Sequence, residues 1–290
     1  MCKFAIVTDS CCDLPAELAR EMDLSVINLS VRVEDQTFVN HLDWREVSAG
    51  DFYGLLRAQK SSSTSAPSLG DYLQVLEPLL EQGRDVLVLS FSSALSSTAA
   101  TAAMAAQELA DRYPQRKILC VDSLCASLGQ GLLAFHAAKK REAGMPLEDL
   151  ARWLEENRLH LCHWFTVNDL MYLKRGGRIS AATAVMGTML SIKPILHVDN
   201  EGHLVSVGKV RGRKASIQAL AEKVGELARG YDNPVMFISH GDCPEDAQYL
   251  ADLLKQRYGV KEVYINYVGA VIGSHSGPGT LALFFLGDHR

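Results

Sequence analysis

Short apolar runs that end in small polar residues alternate with longer amphipathic stretches in the first half of this chain. KFAIVTDS (3–10), DVLVLSF (85–91) and KILCVDS (117–123) all have this form, and the last two precede stretches rich in Ala or Leu. Such alternation is typical of βα units around a largely parallel sheet. Because ligands of open α/β sheets bind at the carboxyl ends of the strands, we expect the functional site near these polar ends.

Other segments predict further elements. LSVINLSVRV (24–33) predicts one more strand, and LALFFL (281–286) reads as a very apolar helix. PILHVDNEGHLVSVGKVR (194–211) predicts two antiparallel strands joined by a turn at residues 200–202.

These patterns together predict an α/β fold with two domains. Residues 1–162 form a parallel-sheet, three-layer α/β domain in this interpretation. Residues 163–290 form a second α/β domain with a mixed or antiparallel sheet, and the ligand site lies at the interface between the two.

Composition narrows the possible classes of function. The 290 residues, 48% of them apolar by the AVILMFWYC count, can bury a sizeable core, yet the longest apolar runs are far shorter than the roughly 18 residues of a membrane span. The N-terminal residues lack a basic n-region, and Asp9 interrupts the apolar stretch there. We therefore expect a soluble, cytoplasmic protein. Its formal charge of −5 offers no attraction for nucleic acid or anionic membranes.

Motifs of common cofactor and metal sites are missing from the sequence. The seven Cys show no C-x-x-C and no zinc-type pairing with His, which predicts reduced thiols and no metal site. G-x-x-x-x-G-K-[ST], G-x-G-x-x-G, G-x-S-x-G and H-E-x-x-H do not occur either. We expect no cofactor.

Two clusters of hydroxyl side chains are candidate polar sites. SSALSST (92–98) lies between a predicted strand and a helix beginning near Ser97, where free N–H groups favour an anion. Simple N-capping is the alternative. The second cluster contains Thr64 and Ser65 before Pro67. It indicates a polar site, a turn before a helix starting at Leu69, or a flexible Ser-rich linker.

His275 lies in a Gly-rich predicted loop, IGSHSGPG (272–279). It could donate to a carboxylate, act as a base, or bond a carbonyl group. A Ser nucleophile, Ser96 or Ser10, with His275 as base and Asp9 or Asp122 as its orienting group would give a serine-dependent acyl hydrolase or transferase.

Basic residues cluster at two places. Lys174, Arg175 and Arg178 surround a Gly-Gly turn, and a second run over 209–214 contains Arg211. Such runs are solvated surfaces or docking patches for a phosphate or a partner.

Eight short motifs occur in order over almost the whole chain. They are TDS (8–10), TSAPS (64–68), SSALSST (92–98), VDSLCASLGQG (121–131), YLKRGGRIS (172–180), IKPIL (192–196), KVRGRKA (209–215) and IGSHSGPG (272–279). Each motif is weak by itself, but the ordered set resembles the DegV family. The resemblance implies a bacterial, non-catalytic lipid carrier that buries one long-chain fatty acid, such as palmitate, between two domains. It also implies a partner, the dihydroxyacetone-kinase-like subunit of a fatty acid kinase, which uses ATP to convert the bound acid to an acyl phosphate.

The resemblance also implies roles for individual residues. Thr64 and Ser96 should hydrogen-bond the carboxylate, with His275 beside it and with Ser65 and Ser97 as neighbouring ligand-binding residues. Arg211 and Arg175 would contact the kinase or the phosphate. The sequence departs from the family pattern in two places: Ala66 stands where the family usually has Gln, and Ser97 stands where it usually has Gly. We expect Ala66 to alter a supporting hydrogen bond and Ser97 to narrow the head-group pocket.

Overall fold

The protein is described by a computed structural model over residues 4–180 and 191–290. Its strands there are β1 Phe4–Asp9, β2 Leu24–Ile27, β3 Ser30–Val33, β4 Gln36–Val39, β5 Ser62–Ser65, β6 Asp85–Ser90, β7 Ile118–Asp122, β8 Leu161–Thr166, β9 Ile192–Val198, β10 Leu204–Arg211, β11 Val235–His240, β12 Glu262–Tyr267 and β13 Leu281–Leu286. The α-helices are α1 Ala16–Glu21, α2 Ala49–Arg57, α3 Leu69–Glu81, α4 Thr98–Arg112, α5 Leu128–Glu142, α6 Leu147–Asn157, α7 Met171–Arg175, α8 Arg213–Leu227, α9 Pro244–Tyr258 and α10 Ala270–Ser276.

The first domain contains a parallel sheet with the strand order β2-β1-β6-β7. β1 is buried along its whole length because both faces of the sheet are covered. Ala5 and Val7 pack with α3 and α4 on one face, while Phe4 and Ile6 pack with α5 and α6 on the other. The predicted parallel three-layer domain is confirmed.

The second domain contains a mixed sheet with the order β10-β9-β8-β13-β11-β12. β11 and β12 are parallel, and the other neighbours are antiparallel. The predicted hairpin is present, with Leu204 paired to Val198. One face of this sheet packs on α8 and α9. The two-domain α/β fold is therefore confirmed.

Helix α5 joins the two domains because it lies between their sheets. It contacts β1 and β6 on one side and β8, β11 and β13 on the other. Its residues Leu132 and Leu133 belong to one continuous core that also contains Ile6 and Phe284. The domains therefore share a core.

The chain passes from one sheet to the other after α6. That helix ends at Asn157, a short 3-10 turn covers Arg158–His160, and β8 then enters the mixed sheet. The predicted division between residues 162 and 163 falls inside β8. We propose that the division lies in the 3-10 turn instead.

Two predicted elements were wrong. LALFFL (281–286) is not a helix but β13, a central strand bonded to β8 and β11. Periodicity cannot separate a short, fully buried strand from a buried helix. The segment 24–33 is not one strand, because β2 ends at Ile27 and β3 joins a separate antiparallel sheet with the order β4-β3-β5. The sequence did not predict this third sheet.

The Ser-rich segment and the His275 segment are both ordered. β5 forms within the former and pairs with β3, and Ser68 then begins α3 with a capping box to Asp71. The flexible-linker interpretation was therefore wrong, whereas the helix start at Leu69 is confirmed. His275 lies in α10 rather than in a loop. No helix within the described ranges is long and apolar enough to cross a membrane.

Candidate functional site

A cavity of about 250 Å³ lies where the two domains meet. Its wall is mainly apolar and includes Phe91, Leu95, Phe165, Leu173, Ile272 and Phe284. Mostly apolar concave sites with a few converging polar groups are typical of small-molecule binding. Of the side chains that the structure describes around this cavity, Arg178 is the one Lys or Arg, and no Asp or Glu is among them.

Thr64 and His275 meet at the polar wall of this cavity. Helix α10 packs against β3 and β5, which places His275 Nε2 2.8 Å from Thr64 Oγ1. Side chains alternate along a strand, so Thr64 faces inward while Ser65 is exposed and is not part of the cavity wall. The structure therefore brings Thr64 and His275 together but does not bring Ser65 to them.

His275 is neutral at pH 7. Its burial, and secondarily the positive charge of Arg178, lower the pKa of His275 to about 4. A neutral imidazole has one N–H, so the bond to Thr64 depends on the tautomer. With the proton on Nε2, His275 donates to Thr64, and the Thr64 hydroxyl hydrogen is free for a ligand carboxylate.

The motif YLKRGGRIS places two of its residues, Gly176 and Arg178, beside the cavity. Arg178 Nε donates to the Leu95 carbonyl at 3.2 Å, and Nη1 donates to the Gly176 carbonyl. Gly176 lies directly against the ring of His275. The sequence interpretation placed Arg178 in a surface basic patch and missed its place in the cavity wall.

Ser96 and Ser97 precede α4, as predicted. Ser96 Oγ accepts a hydrogen bond from Thr98 N at 3.3 Å and lies 2.8 Å from Thr98 Oγ1. The N-cap of α4 is Ser97, which makes no side-chain cap hydrogen bond, so the simple N-capping interpretation was wrong. Ser96 precedes this N-cap and lines the cavity. Ser97 lines the cavity too and is exposed to solvent, so this part of the wall is near the surface.

Ser127, another polar residue of the cavity wall, is bonded to side chains of the protein itself. Ser127 Oγ lies 2.5 Å from Asp13 Oδ2 and 2.9 Å from Ser239 Oγ. Burial raises the pKa of Asp13 to about 8, so this carboxyl group is largely protonated at neutral pH. These bonds join side chains of both domains. Because Ser127 and Ser239 are bonded to each other, this part of the wall is suited to an apolar chain.

Of the side chains in the serine-hydrolase alternative, Ser96 and His275 line the same cavity, whereas Ser10, Asp9 and Asp122 are bonded to backbone amides elsewhere. Ser10 Oγ accepts from Leu29 N, and Asp9 accepts from the Phe91 and Cys11 amides. Asp122 accepts from Ser93 N and Leu124 N. None of these bonds orients His275, whose Nε2 faces Thr64.

The predicted partner residues lie on the surface. Arg175 is exposed, stacks over the Tyr172 ring and immediately precedes Gly176. Arg211 is exposed at the end of β10, paired with Ile192. Within residues 4–180 and 191–290, no group of three or more His, Cys, Asp or Glu could hold a metal ion.

Comparison with known proteins identifies the family. A model of the DegV family, described as uncharacterised proteins, matches residues 3–288. The chain belongs to the DegV family. A DegV domain-containing protein of Clostridium perfringens is 41% identical to this DegV chain, covering 100% of it and 99% of the relative.

Solved DegV structures share the fold. A DegV family protein from Thermus thermophilus, described for its fatty acid binding, superposes with a TM-score of 0.88 at 32% identity, covering 98% of this chain and 99% of that one. DegV from Bacillus subtilis, described as a fatty acid binding protein, gives a TM-score of 0.84 at 30% identity, with 99% and 100% coverage.

Proposed function

We propose that this chain binds one long-chain fatty acid, such as palmitate, in the cavity between its domains. The carboxylate lies against Thr64, Ser96 and His275, and the tail lies along the apolar wall. The observation that carries the proposal is the pairing of Thr64 and His275 in the wall of a mainly apolar cavity. Burial of each methylene group contributes about 0.8 kcal/mol, so a long chain binds tightly. The fatty acid binding described for the two similar structures supports the same ligand class.

Neutral donors suit such a head group. A hydrogen bond to a carboxylate contributes about 1.5–3 kcal/mol. Arg178 adds a positive charge nearby, and two of its five N–H donors bond the carbonyls of Leu95 and Gly176. The carboxylate lies near the exposed Ser97.

We further propose that the protein is a carrier that presents the bound acid to a separate, ATP-dependent kinase. A carboxylate oxygen attacks the γ-phosphorus of ATP, the bond to the β–γ bridging oxygen breaks, and the products are acyl phosphate and ADP. Arg175 and Arg211 are exposed cations that suit a partner or a phosphate.

Binding is tested by calorimetric titration of the delipidated protein with palmitate. We expect saturation at one palmitate per chain and a negative heat-capacity change, the signature of apolar burial. A protein that takes up no palmitate and yields none on denaturing extraction would contradict the proposal.

The kinase partnership is tested with palmitate-loaded protein, ATP and a candidate kinase subunit. Arg175→Ala and Arg211→Ala should slow acyl-phosphate formation without changing palmitate affinity. Arg20→Ala, a matched change at an exposed Arg of α1, is the control. Equal rates in all variants would exclude these two residues from docking.

The carrier role is also tested against acyl hydrolysis. Incubation with a serine-reactive fluorophosphonate and with acyl thioesters should give neither labelling nor turnover in the absence of the kinase. Labelling of Ser96 together with thioester turnover would identify an enzyme instead.

A further inference from the structure

The hydroxyl group of Ser276 is buried in the cavity wall without a partner. Ser276 lies at the end of α10, directly after His275, and is 5% exposed. Its Oγ atom makes no hydrogen bond to any part of the protein that the structure describes. A buried hydroxyl group is rarely left unpaired, because burial removes its hydrogen bonds to water. Because Ser276 also lines the cavity, an occupant of the cavity is positioned to supply the missing partner.

The backbone around Ser276 is held by hydrogen bonds. The Thr280 hydroxyl shares its one hydrogen between the carbonyls of Ser276, at 3.0 Å, and Gly277, at 2.8 Å. Gly279 N donates at 2.7 Å to the carbonyl of Gly241, the residue that follows β11. These bonds use the carbonyl of Ser276 and fix the turn, but they leave its hydroxyl group unused.

Ser276 differs in this respect from the other hydroxyl groups of the wall. Thr64 has His275, Ser96 has Thr98, and Ser127 bonds both Asp13 and Ser239, while Thr280 bonds the turn carbonyls. Ser97 is exposed to water. Of the described hydroxyl groups around the cavity, Ser276 is thus the buried one that still needs a partner.

We propose that Ser276 Oγ donates a hydrogen bond to the carboxylate of the bound fatty acid, next to the donors at Thr64 and Ser96. This inference rests on the proposed fatty acid binding. A carboxylate offers about four lone-pair positions on two oxygens, so a third hydroxyl donor has an acceptor available. Because Ser276 adjoins His275 in the last turn of α10, one helix delivers both side chains to the head group.

The test compares ligands with and without the head group. Palmitate and pentadecane, the same chain without the carboxylate, are measured by displacement of a fluorescent fatty acid from the delipidated protein. Ser276→Ala should weaken palmitate binding about tenfold, equivalent to about 1.4 kcal/mol, and leave pentadecane binding unchanged. Ser274→Ala is the matched control, since Ser274 Oγ is also buried and unpaired on α10 but is outside the cavity wall. It should change neither affinity.

A second pair of variants decides the question if Ser276→Ala folds poorly. Ser276→Thr keeps the hydroxyl group, and Ser276→Val has nearly the same shape without it. Ser276→Thr should bind palmitate more tightly than Ser276→Val, with no difference for pentadecane. Equal palmitate binding by these two variants, or parallel losses for both ligands, would overturn the role of Ser276. Failure of the wild-type protein to bind palmitate would instead overturn the proposed function itself.

Discussion

The ring of His275 lies so close to the backbone of Gly176 that a Cβ atom added to this glycine would be 2.1 Å from Nδ1. The backbone angles of Gly176 are ordinary helical ones, φ −71° and ψ −10°, so the ring contact alone opposes a side chain there. Helix α7 therefore holds His275 from one side while Thr64 bonds it from the other. The imidazole position is fixed by both domains.

Gly176→Ala should displace His275 and weaken palmitate binding. Overpacking of this kind costs about 1–3 kcal/mol of unfolding free energy. The variant is measured by denaturant unfolding and palmitate titration. Gly54→Ala is the control, because an added Cβ in α2 meets no atom within 4 Å; it should increase stability by about 1 kcal/mol. Unchanged palmitate affinity in Gly176→Ala would show that His275 needs no support from α7.

Thr64→Val should reduce palmitate affinity by about 1–3 kcal/mol, since it removes one hydroxyl donor and leaves His275 without its partner. The shape of the side chain is nearly retained. Ser65→Ala, at the adjacent exposed position, should leave the dissociation constant unchanged. A loss of affinity in Ser65→Ala as large as that in Thr64→Val would contradict the inward orientation of Thr64.

The sequence pattern predicted the parallel sheet well, because β1, β6 and β7 are apolar runs between amphipathic helices. It failed for β13, where six apolar residues fit a helix and a central strand equally. It also failed at β3, since the break after Ile27 depends on contacts with β5, far along the chain.

The family resemblance predicted Thr64, Ser96 and His275 as site residues. The structure brings these three residues to one cavity. Strand alternation could already have separated Ser65 from Thr64. Arg178 and Ser276 were missed because their burial follows from the packing of α7 and α10, which no local pattern encodes. The one available signal was that Arg178 belongs to the motif YLKRGGRIS and Ser276 to the motif IGSHSGPG.

Ala282→Leu should shorten the space available to the acyl chain. Ala282 lines the cavity between Phe165 of β8 and Ser239 of β11. Displacing about two methylene groups of the ligand would lower palmitate affinity about tenfold. The affinity for octanoate, whose shorter chain leaves part of the cavity free, should fall less than the affinity for palmitate. Ala103→Leu on the exposed side of α4 is the control, and equal losses for both acids would place the tail elsewhere.

Asp13 should make the protein less stable as pH rises from 6.5 towards 8. Its folded-state pKa of about 8 exceeds its ordinary value of 3.8, so the folded protein holds a proton that the unfolded chain has released. For one proton, the free energy of unfolding falls by at most about 1.4 kcal/mol per pH unit. The lowered pKa of His275 acts in the opposite direction, because it makes the free energy of unfolding rise with pH. This rise lies between the folded-state pKa of about 4 and the ordinary value of 6.5, so it is complete near pH 6.5.

Asp13→Asn keeps an acceptor for Ser127 and removes this titration. Denaturant unfolding at pH 6.5, 7.2 and 8.0 should show a flatter profile than that of the wild type. Parallel profiles would mean that Asp13 is ionised in the folded protein.

Native mass spectrometry of the delipidated protein mixed with palmitate tests the central claim most directly. The wild type should show one palmitate per chain, with reduced occupancy in Thr64→Val and Ala282→Leu but not in Ser65→Ala or Ala103→Leu. A wild-type chain that remains free of palmitate, or equal occupancy in all five proteins, would contradict a fatty acid held between Thr64 and the apolar wall at Ala282.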